Sequence, residues 1–65
     1  MKLKGGARRV DRMLDDGWEL RVRRVRGIPV RAALFRDGVM KNVRLRHAMK
    51  AAKVRQLREL RGGEG

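Results

Sequence analysis

The side chains best suited to a specific chemical role are the arginines of residues 21–36, in the stretch RVRRVRGIPVRAALFR. Six of these sixteen residues are arginine, and most of the others are Val, Ile, Ala, Leu or Phe. A guanidinium group binds phosphate through two parallel hydrogen bonds and stacks on nucleobases. The stretch therefore predicts an anion-binding surface on an element that also has an apolar side.

The predicted nucleic-acid-binding surface combines arginines near turns, basic residues of a C-terminal helix, and five arginines on one sheet face, namely Arg21, Arg23, Arg31, Arg44 and Arg46. Phe35, the only phenylalanine, would either stack on a base or pack under a helix or in a dimer interface. The full predicted set is Arg21, Arg23, Arg24, Arg26, Arg31, Phe35, Arg36, Lys41, Arg44, Arg46, Lys50 and Lys53.

The residue types that usually carry catalysis are nearly missing from the chain. Ser, Thr, Tyr and Cys do not occur, so the common hydroxyl and thiol nucleophiles are lacking. His47 is the only histidine, and we interpret it as a helix-start residue or a phosphate contact. Asp11, Asp15 and Asp16 lie at helical spacing beside arginines, which favours surface ion pairs over a metal site. We therefore predict no catalytic residue, metal or cofactor, with a nuclease that uses His47 as the enzymatic alternative.

The charge balance favours a polyanionic partner. The net charge is +12, and residues 20–58 hold thirteen bases but only one acid, Asp37. A surface that mixes positive and negative charges is sufficient for solubility, so this excess of bases indicates an anionic ligand. Fourteen of the nineteen cations are arginine, a bias that a GC-rich genome would also produce. An acidic protein surface would attract the same charges as a nucleic acid, so both partners remain open.

Three strands are predicted between the helices, over residues 18–25, 28–36 and 39–46, because apolar and basic residues alternate there. The alternation breaks at residues 24–25, which would fit a bulge. The Arg26-Gly27 and Asp37-Gly38 pairs predict the two connecting turns. Three strands joined by tight turns form an antiparallel meander, in which one face packs on a core and the other can remain solvated.

Two helices are predicted to flank this sheet on one face, which gives an α+β fold of order α-β-β-β-α. The first spans residues 7–16 and the second spans residues 47–61. The second helix has apolar residues on two sides, so one side would contact the sheet and the other a second subunit or the first helix. The predicted interface residues are Val54 and Leu57.

The chain is long enough for one small domain over residues 7–61, with residues 1–6 and 62–65 as flexible ends. A domain of this size without Cys needs good packing, a ligand or a second copy of itself, so a homodimer is compatible with the sequence.

No apolar run approaches the ~18 residues of a membrane span, and we expect no membrane contact. The expected location is the cytoplasm, or the host cytoplasm for a phage protein. The many charged residues and few Asn and Gln are also typical of thermophiles.

The order of elements resembles double-stranded-RNA-binding-like domains, and two stretches resemble HicA-like mRNA interferase toxins. LDDGWELRVRRV is similar to the start of those toxins, where a Gly-Trp follows the first helix. RDGVMKNVRLRH looks like their third strand, which often ends in a His. The toxins carry a catalytic His in the first hairpin, where this chain has Arg26-Gly27-Ile28-Pro29. The resemblance therefore implies RNA binding without cleavage.

Two functions follow from these observations. The first is a small non-enzymatic nucleic-acid-binding protein that contacts the phosphate backbone with modest sequence specificity, because most base-reading residue types are missing. The second is a protein-interaction module, such as a phage-type inhibitor that binds an acidic surface of a host RNA polymerase or nuclease.

Overall fold

The computed structural model describes residues 3–62 and contains five elements in the order α-β-β-β-α. The elements are α1 (Gly5–Asp15), β1 (Glu19–Val25), β2 (Ile28–Arg36), β3 (Val39–Val43) and α2 (Leu45–Gly62). The strands form one antiparallel sheet in the order β1-β2-β3, so the predicted α+β meander is confirmed. Residues 1–2 and 63–65, which belong to the predicted flexible ends, lie outside the described residues.

Two tight turns connect the strands. Arg26 and Gly27 have φ angles of 52° and 78°, and Asp37 and Gly38 have 49° and 79°. Positive φ at both central residues is the type I′ geometry, whose twist matches that of the flanking strands. Each turn therefore closes a hairpin at the residue pair that the sequence predicted.

The core lies between the two helices and one face of the sheet. Val10 of α1, Leu34 of β2 and Ala51 of α2 form its centre, and they are 2%, 0% and 0% exposed. Partly buried apolar residues surround this centre, namely Met13, Leu14, Trp18, Leu20 and Val43. These residues come from both helices and from all three strands, with Trp18 just before β1, so one cluster joins the helices to the sheet.

The boundary between β3 and α2 differs from the prediction. β3 ends at Val43, and α2 begins at Leu45. The Ala48 backbone N–H donates to the Arg44 carbonyl at 3.0 Å, which makes Arg44 the N-cap of the helix. The prediction that Arg44 and Arg46 lie on the sheet face is therefore wrong, because a helix replaces the last part of the expected strand. Within residues 3–62, neither helix has both the length and the apolar character needed to cross a membrane.

The first helix also begins earlier than predicted, at Gly5, so the expected flexible segment 1–6 includes the start of a helix. Gly6 lies against α2, because a Cβ at position 6 would overlap the His47 ring. A Cβ at Gly5 would meet nothing within 4 Å. The two neighbouring glycines therefore differ in the space around them.

This difference gives a paired prediction for the stability of the fold. We expect Gly6→Ala to lower the free energy of unfolding by about 1–3 kcal/mol, because the His47 ring must move. Gly5→Ala should raise it by up to about 1 kcal/mol, because alanine favours a helix more than glycine does. Urea unfolding followed by circular dichroism measures both values. Equal effects of the two substitutions would contradict the contact between Gly6 and His47.

Candidate nucleic-acid interface

Within residues 3–62, no helix covers one face of the sheet, which we call the outer face. Leu20 and its partner Leu34 pack toward the helices. Successive side chains of a strand point to opposite faces, so Arg21 and Arg23 lie on the outer face. Arg31 lies there too, because it is the cross-strand partner of Arg23. These three arginines thus share a surface, as the alternation of the sequence predicted.

Arg23 and Arg31 face each other directly across β1 and β2, and both residues are exposed. Like charges in directly opposed positions destabilise a sheet. Within residues 3–62 neither arginine forms an ion pair that would offset this repulsion. The pair therefore forms a site of concentrated positive charge on the outer face.

The single phenylalanine lies on the outer face beneath an arginine. The guanidinium carbon of Arg21 is 4.5 Å from the centroid of the Phe35 ring. Arg21 Nη2 also donates a hydrogen bond of 3.2 Å to Glu19 Oε2. Phe35 is partly buried, but by Arg21 and neighbours on the outer face, so it does not pack under a helix. A guanidinium stacked on an aromatic ring presents a flat surface on which a base can stack.

Strands β1 and β2 continue beyond the rest of the sheet as a two-stranded ribbon, residues 23–31. β3 pairs only with residues 32–36 of β2, so within residues 3–62 the two strands of the ribbon pair only with each other. All ribbon residues are exposed except Pro29, which is half-buried. The ribbon includes Arg24 and the turn residue Arg26, two further members of the predicted surface.

The pairing register shifts by one residue inside the ribbon. Arg23 pairs with Arg31, but Arg24 pairs with Pro29, which leaves Val30 as an extra residue on β2. The break in alternation at residues 24–25 predicted a bulge at this level. The extra residue belongs to the opposite strand, however, and the sequence of β1 alone does not reveal this.

The register shift changes which residues share the outer face. Ile28 is an even number of residues from Leu34, and a regular strand would place both on the helix side. Instead Ile28 pairs with Val25, which follows Arg23 on the outer face. The tip of the ribbon therefore has an aliphatic pair on the same face as the arginines.

A second group of cations lies near the N-terminal ends of the two helices. A cavity of about 330 Å³ is lined by Lys4, Arg46, Lys50 and His47, together with Ala7. An adjoining cavity of about 280 Å³ is also lined by His47, with Arg9, Lys41 and Arg44 among its other residues. Neither α1 nor α2 has an acidic residue in its first turn. The structure thus places Arg44, Arg46 and Lys50 in this second group and not on the outer face.

The other three predicted contacts, Lys41, Arg36 and Lys53, do not lie on the outer face, and Lys41 also lines the second cavity. Lys41 pairs with Leu34, and its ammonium lies 5.5 Å from the centroid of the Trp18 ring, on the helix side of the sheet. Arg36 ends β2, and its Nε lies 3.6 Å from the Asp37 carboxylate. Lys53 is exposed on α2.

An ion-pair cluster joins the two helices and was not predicted. The two Asp11 carboxylate oxygens accept hydrogen bonds of 3.0 Å from Arg55 Nη1 and Arg58 Nη2. Arg55 Nη1 also donates to Asp15 Oδ1 at 2.7 Å. Asp11 and Asp15 thus form ion pairs as expected, but their partners are arginines of α2 and not neighbouring arginines of α1. Asp11 lies four residues after Ala7, and this spacing could have indicated that Asp11 lies on the buried stripe of α1, although it does not identify the partner.

The cluster keeps its charges across the neutral pH range. Burial alone would raise the pKa of the Asp11 carboxyl, but the hydrogen bonds from Arg58 and Arg55 outweigh it, so the pKa lies below its usual value. Hydrogen bonds to Asp15 and Asp11 raise the pKa of Arg55. Because Arg55 and Arg58 are held by carboxylates, they stabilise the fold and are not available as free cations on the surface.

The two predicted interface residues have different surroundings. Val54 is 8% exposed and lies with Ala48 and Ala51 on the buried side of α2. Val54 is therefore a core residue, because the second apolar side of the helix packs within the chain. Leu57 and Leu60 are 41% and 63% exposed, beside a groove of about 640 Å³ that Leu57 helps to line.

The sequence matches no protein-family model, and neither a curated protein nor a solved structure matches it. The resemblance to HicA-like toxins and double-stranded-RNA-binding-like domains stays a prediction.

Proposed function

We propose that this chain is a small non-enzymatic nucleic-acid-binding protein whose outer face and ribbon contact the phosphate backbone. The directly opposed arginines Arg23 and Arg31 are the main support for this function. Two like charges that face each other directly destabilise the sheet, so neither arginine is explained by the stability of the sheet. A phosphate between the two guanidinium groups would remove the repulsion and accept hydrogen bonds from both.

The distribution of acids supports the same function. Asp11 and Asp15 pair with arginines of α2, on the helix side of the sheet. Within the described chain, Glu19 is the acid paired with an outer-face arginine, and that pair is exposed. The outer face and ribbon therefore keep most of their positive charge for a ligand. The cations around Arg46 and Lys50 form a further basic patch in the helix layer.

A salt titration of binding tests this function. Fluorescence anisotropy would compare labelled duplex DNA, single-stranded DNA and duplex RNA of the same sequence. If Arg23 and Arg31 share one phosphate and Arg21, Arg24 and Arg26 each contact one more, the log–log slope against salt on duplex DNA should be about −3 to −4. We expect a dissociation constant of about 1 μM or lower near physiological salt, with a preference among the three ligands. Binding that disappears by ~150 mM salt and treats all three ligands alike would contradict the function.

The second candidate function is binding to an acidic protein surface. Leu57 lines a groove together with Arg8 and Arg61, so an exposed apolar residue lies beside two basic ones. An apolar centre with a charged rim is the usual composition of a protein interface. If the titration gives only weak and indiscriminate binding, this groove becomes the preferred contact surface, for an acidic partner or a second copy of the chain.

A further inference from the structure

We infer that the ribbon enters the major groove of B-form DNA, with Val25 and Ile28 at the base edges and arginines at the phosphates. This inference rests on the nucleic-acid-binding function proposed above, and it specifies both the ligand and the element that enters it. The starting observation is the aliphatic pair at the tip of the ribbon, which the fold leaves uncovered.

The tip of the ribbon is apolar and exposed. Val25 and Ile28 are direct partners beside the turn, and they are 51% and 65% exposed. Val30, the extra residue of the ribbon, is 49% exposed. These side chains lie within a few residues of Arg23, Arg24, Arg26 and Arg31. A ligand of this surface must offer apolar contacts at its centre and negative charge around them.

The dimensions of the ribbon fit the major groove. The groove is about 12 Å wide and about 8.5 Å deep, and it admits a two-stranded ribbon. The Arg23–Arg31 pair lies two residues along β1 from the Val25–Ile28 pair, a distance of about 7 Å along the strands. When the tip reaches the base edges, these arginines are therefore near the rim of the groove, where the phosphates lie.

The chemistry of the groove floor also fits the tip. Thymine presents a C5 methyl group in the major groove, which is an apolar contact for Ile28 and Val25. Arg26, at the turn, can bind the O6 and N7 acceptors of guanine. The major groove of A-form RNA is too deep and narrow for side chains to read, and a single strand has no groove. Duplex DNA should therefore be the preferred ligand.

A membrane surface with anionic lipids would also attract aliphatic and basic side chains. The ribbon favours DNA, because its tip is a single aliphatic pair and the Arg23–Arg31 pair lies about 7 Å behind it, close to the depth of the major groove of about 8.5 Å. Vesicles that contain phosphatidylserine are therefore included in the test as the competing class.

The test compares two substitutions that remove similar exposed aliphatic side chains. Ile28 is 65% exposed on the ribbon, and Leu60 is 63% exposed on α2. We expect Ile28→Ser to weaken binding to a thymine-containing DNA duplex by about 10-fold, because apolar burial is lost. The salt slope should not change, because no charge is removed. Leu60→Ser should change affinity less than about twofold, since surface substitutions away from a contact have small effects.

Replacing thymine with uracil in the duplex removes the methyl group from the DNA side. Each lost methyl contact should weaken wild-type binding by about fourfold, and Ile28→Ser should be less sensitive to the change. Val25→Thr, which nearly preserves shape, provides a second variant if Ile28→Ser does not fold, as judged by circular dichroism. It should weaken binding by about two- to fourfold, because a hydroxyl replaces a methyl group at the contact.

Several outcomes would overturn the inference. If the wild-type chain binds DNA but Ile28→Ser and Leu60→Ser behave alike, the ribbon does not enter a groove, and the proposed function survives. If duplex RNA is bound as tightly as duplex DNA, the ribbon again does not enter the major groove, and the proposed function survives. Ile28-dependent binding to phosphatidylserine vesicles, without Ile28-dependent binding to DNA, would assign the tip to a lipid surface. If the wild-type chain binds no nucleic acid, the proposed function fails together with the inference.

Discussion

Replacing Asp11 with asparagine is expected to lower the free energy of unfolding by about 2–3 kcal/mol. The Asp11 side chain is 12% exposed and accepts hydrogen bonds of 3.0 Å from both Arg55 and Arg58. Asparagine preserves the shape but removes the charge, so two guanidinium groups lose their shared partner. A chain of this length has a total stability of roughly 3–10 kcal/mol, so the loss is a large fraction of it.

Asp16→Asn is the matched control for this prediction. Asp16 is an exposed residue at the end of the same helix, and within residues 3–62 it forms no ion pair. The control should change stability by no more than about 0.5 kcal/mol, because no buried contact is lost. Urea unfolding followed by far-ultraviolet circular dichroism measures both variants. Similar losses in Asp11→Asn and Asp16→Asn would show that the contacts between the helices contribute little.

The effect of Asp11 should also depend on pH in a defined direction. Its pKa in the folded chain is lower than usual, because the hydrogen bonds from Arg58 and Arg55 outweigh the effect of burial. A carboxyl with a lowered folded pKa contributes its full stability above the unfolded pKa of about 3.9. That contribution is lost as the pH falls through the folded pKa. The stability difference between wild type and Asp11→Asn should therefore be constant near neutral pH and decrease below about pH 4.

Replacing Arg23 with glutamate should stabilise the fold and weaken nucleic-acid binding at the same time. A glutamate at this position would face Arg31, so a repulsive cross-strand pair becomes attractive and adds about 0.2–1 kcal/mol. Binding near physiological salt should weaken by at least about 10-fold, and the magnitude of the salt slope should fall by about 1–2. Denaturant unfolding and anisotropy titrations measure the two effects separately.

Arg8→Glu is the control for the change in net charge. Arg8 is exposed on α1, in the helix layer, so the substitution changes the total charge equally without altering the outer face. Near 0.15 M salt the Debye length is about 8 Å, and a charge remote from the ligand should have a small effect on affinity. Equal losses of affinity in Arg8→Glu and Arg23→Glu would mean that only the total charge attracts nucleic acid. A loss of stability in Arg23→Glu would show that the two arginines do not repel each other.

The parts of the fold that follow from local signals could be predicted from the sequence. The turns at Arg26-Gly27 and Asp37-Gly38 place glycine where positive φ is needed, and they gave β2 its correct bounds of 28–36. The boundary between β3 and α2 could not be predicted in the same way. Residues 43–46 alternate between apolar and basic types, and four residues are too few to distinguish a strand from the start of a helix.

The candidate site shows the same division between local and long-range information. Alternation along β1 and β2 was sufficient to place Arg21, Arg23 and Arg31 on one face. The extra residue at Val30 depends on how two strands pair, so the outer-face position of Ile28 could not be read from one strand. The contact between Asp11 and Arg55 spans 44 residues of sequence, and no local pattern indicates such a partner.

The position of Trp18 gives the protein an optical probe that is separate from its proposed binding surface. Trp18 is the only tryptophan and the chain has no tyrosine, so one indole accounts for the ultraviolet emission of the protein. That indole packs on the core, with the Lys41 ammonium 5.5 Å from its centroid. Its emission therefore reports how the helices pack on the sheet. A nucleic acid on the outer face would lie across the sheet from the indole, so folding and binding can be followed by different signals from one sample.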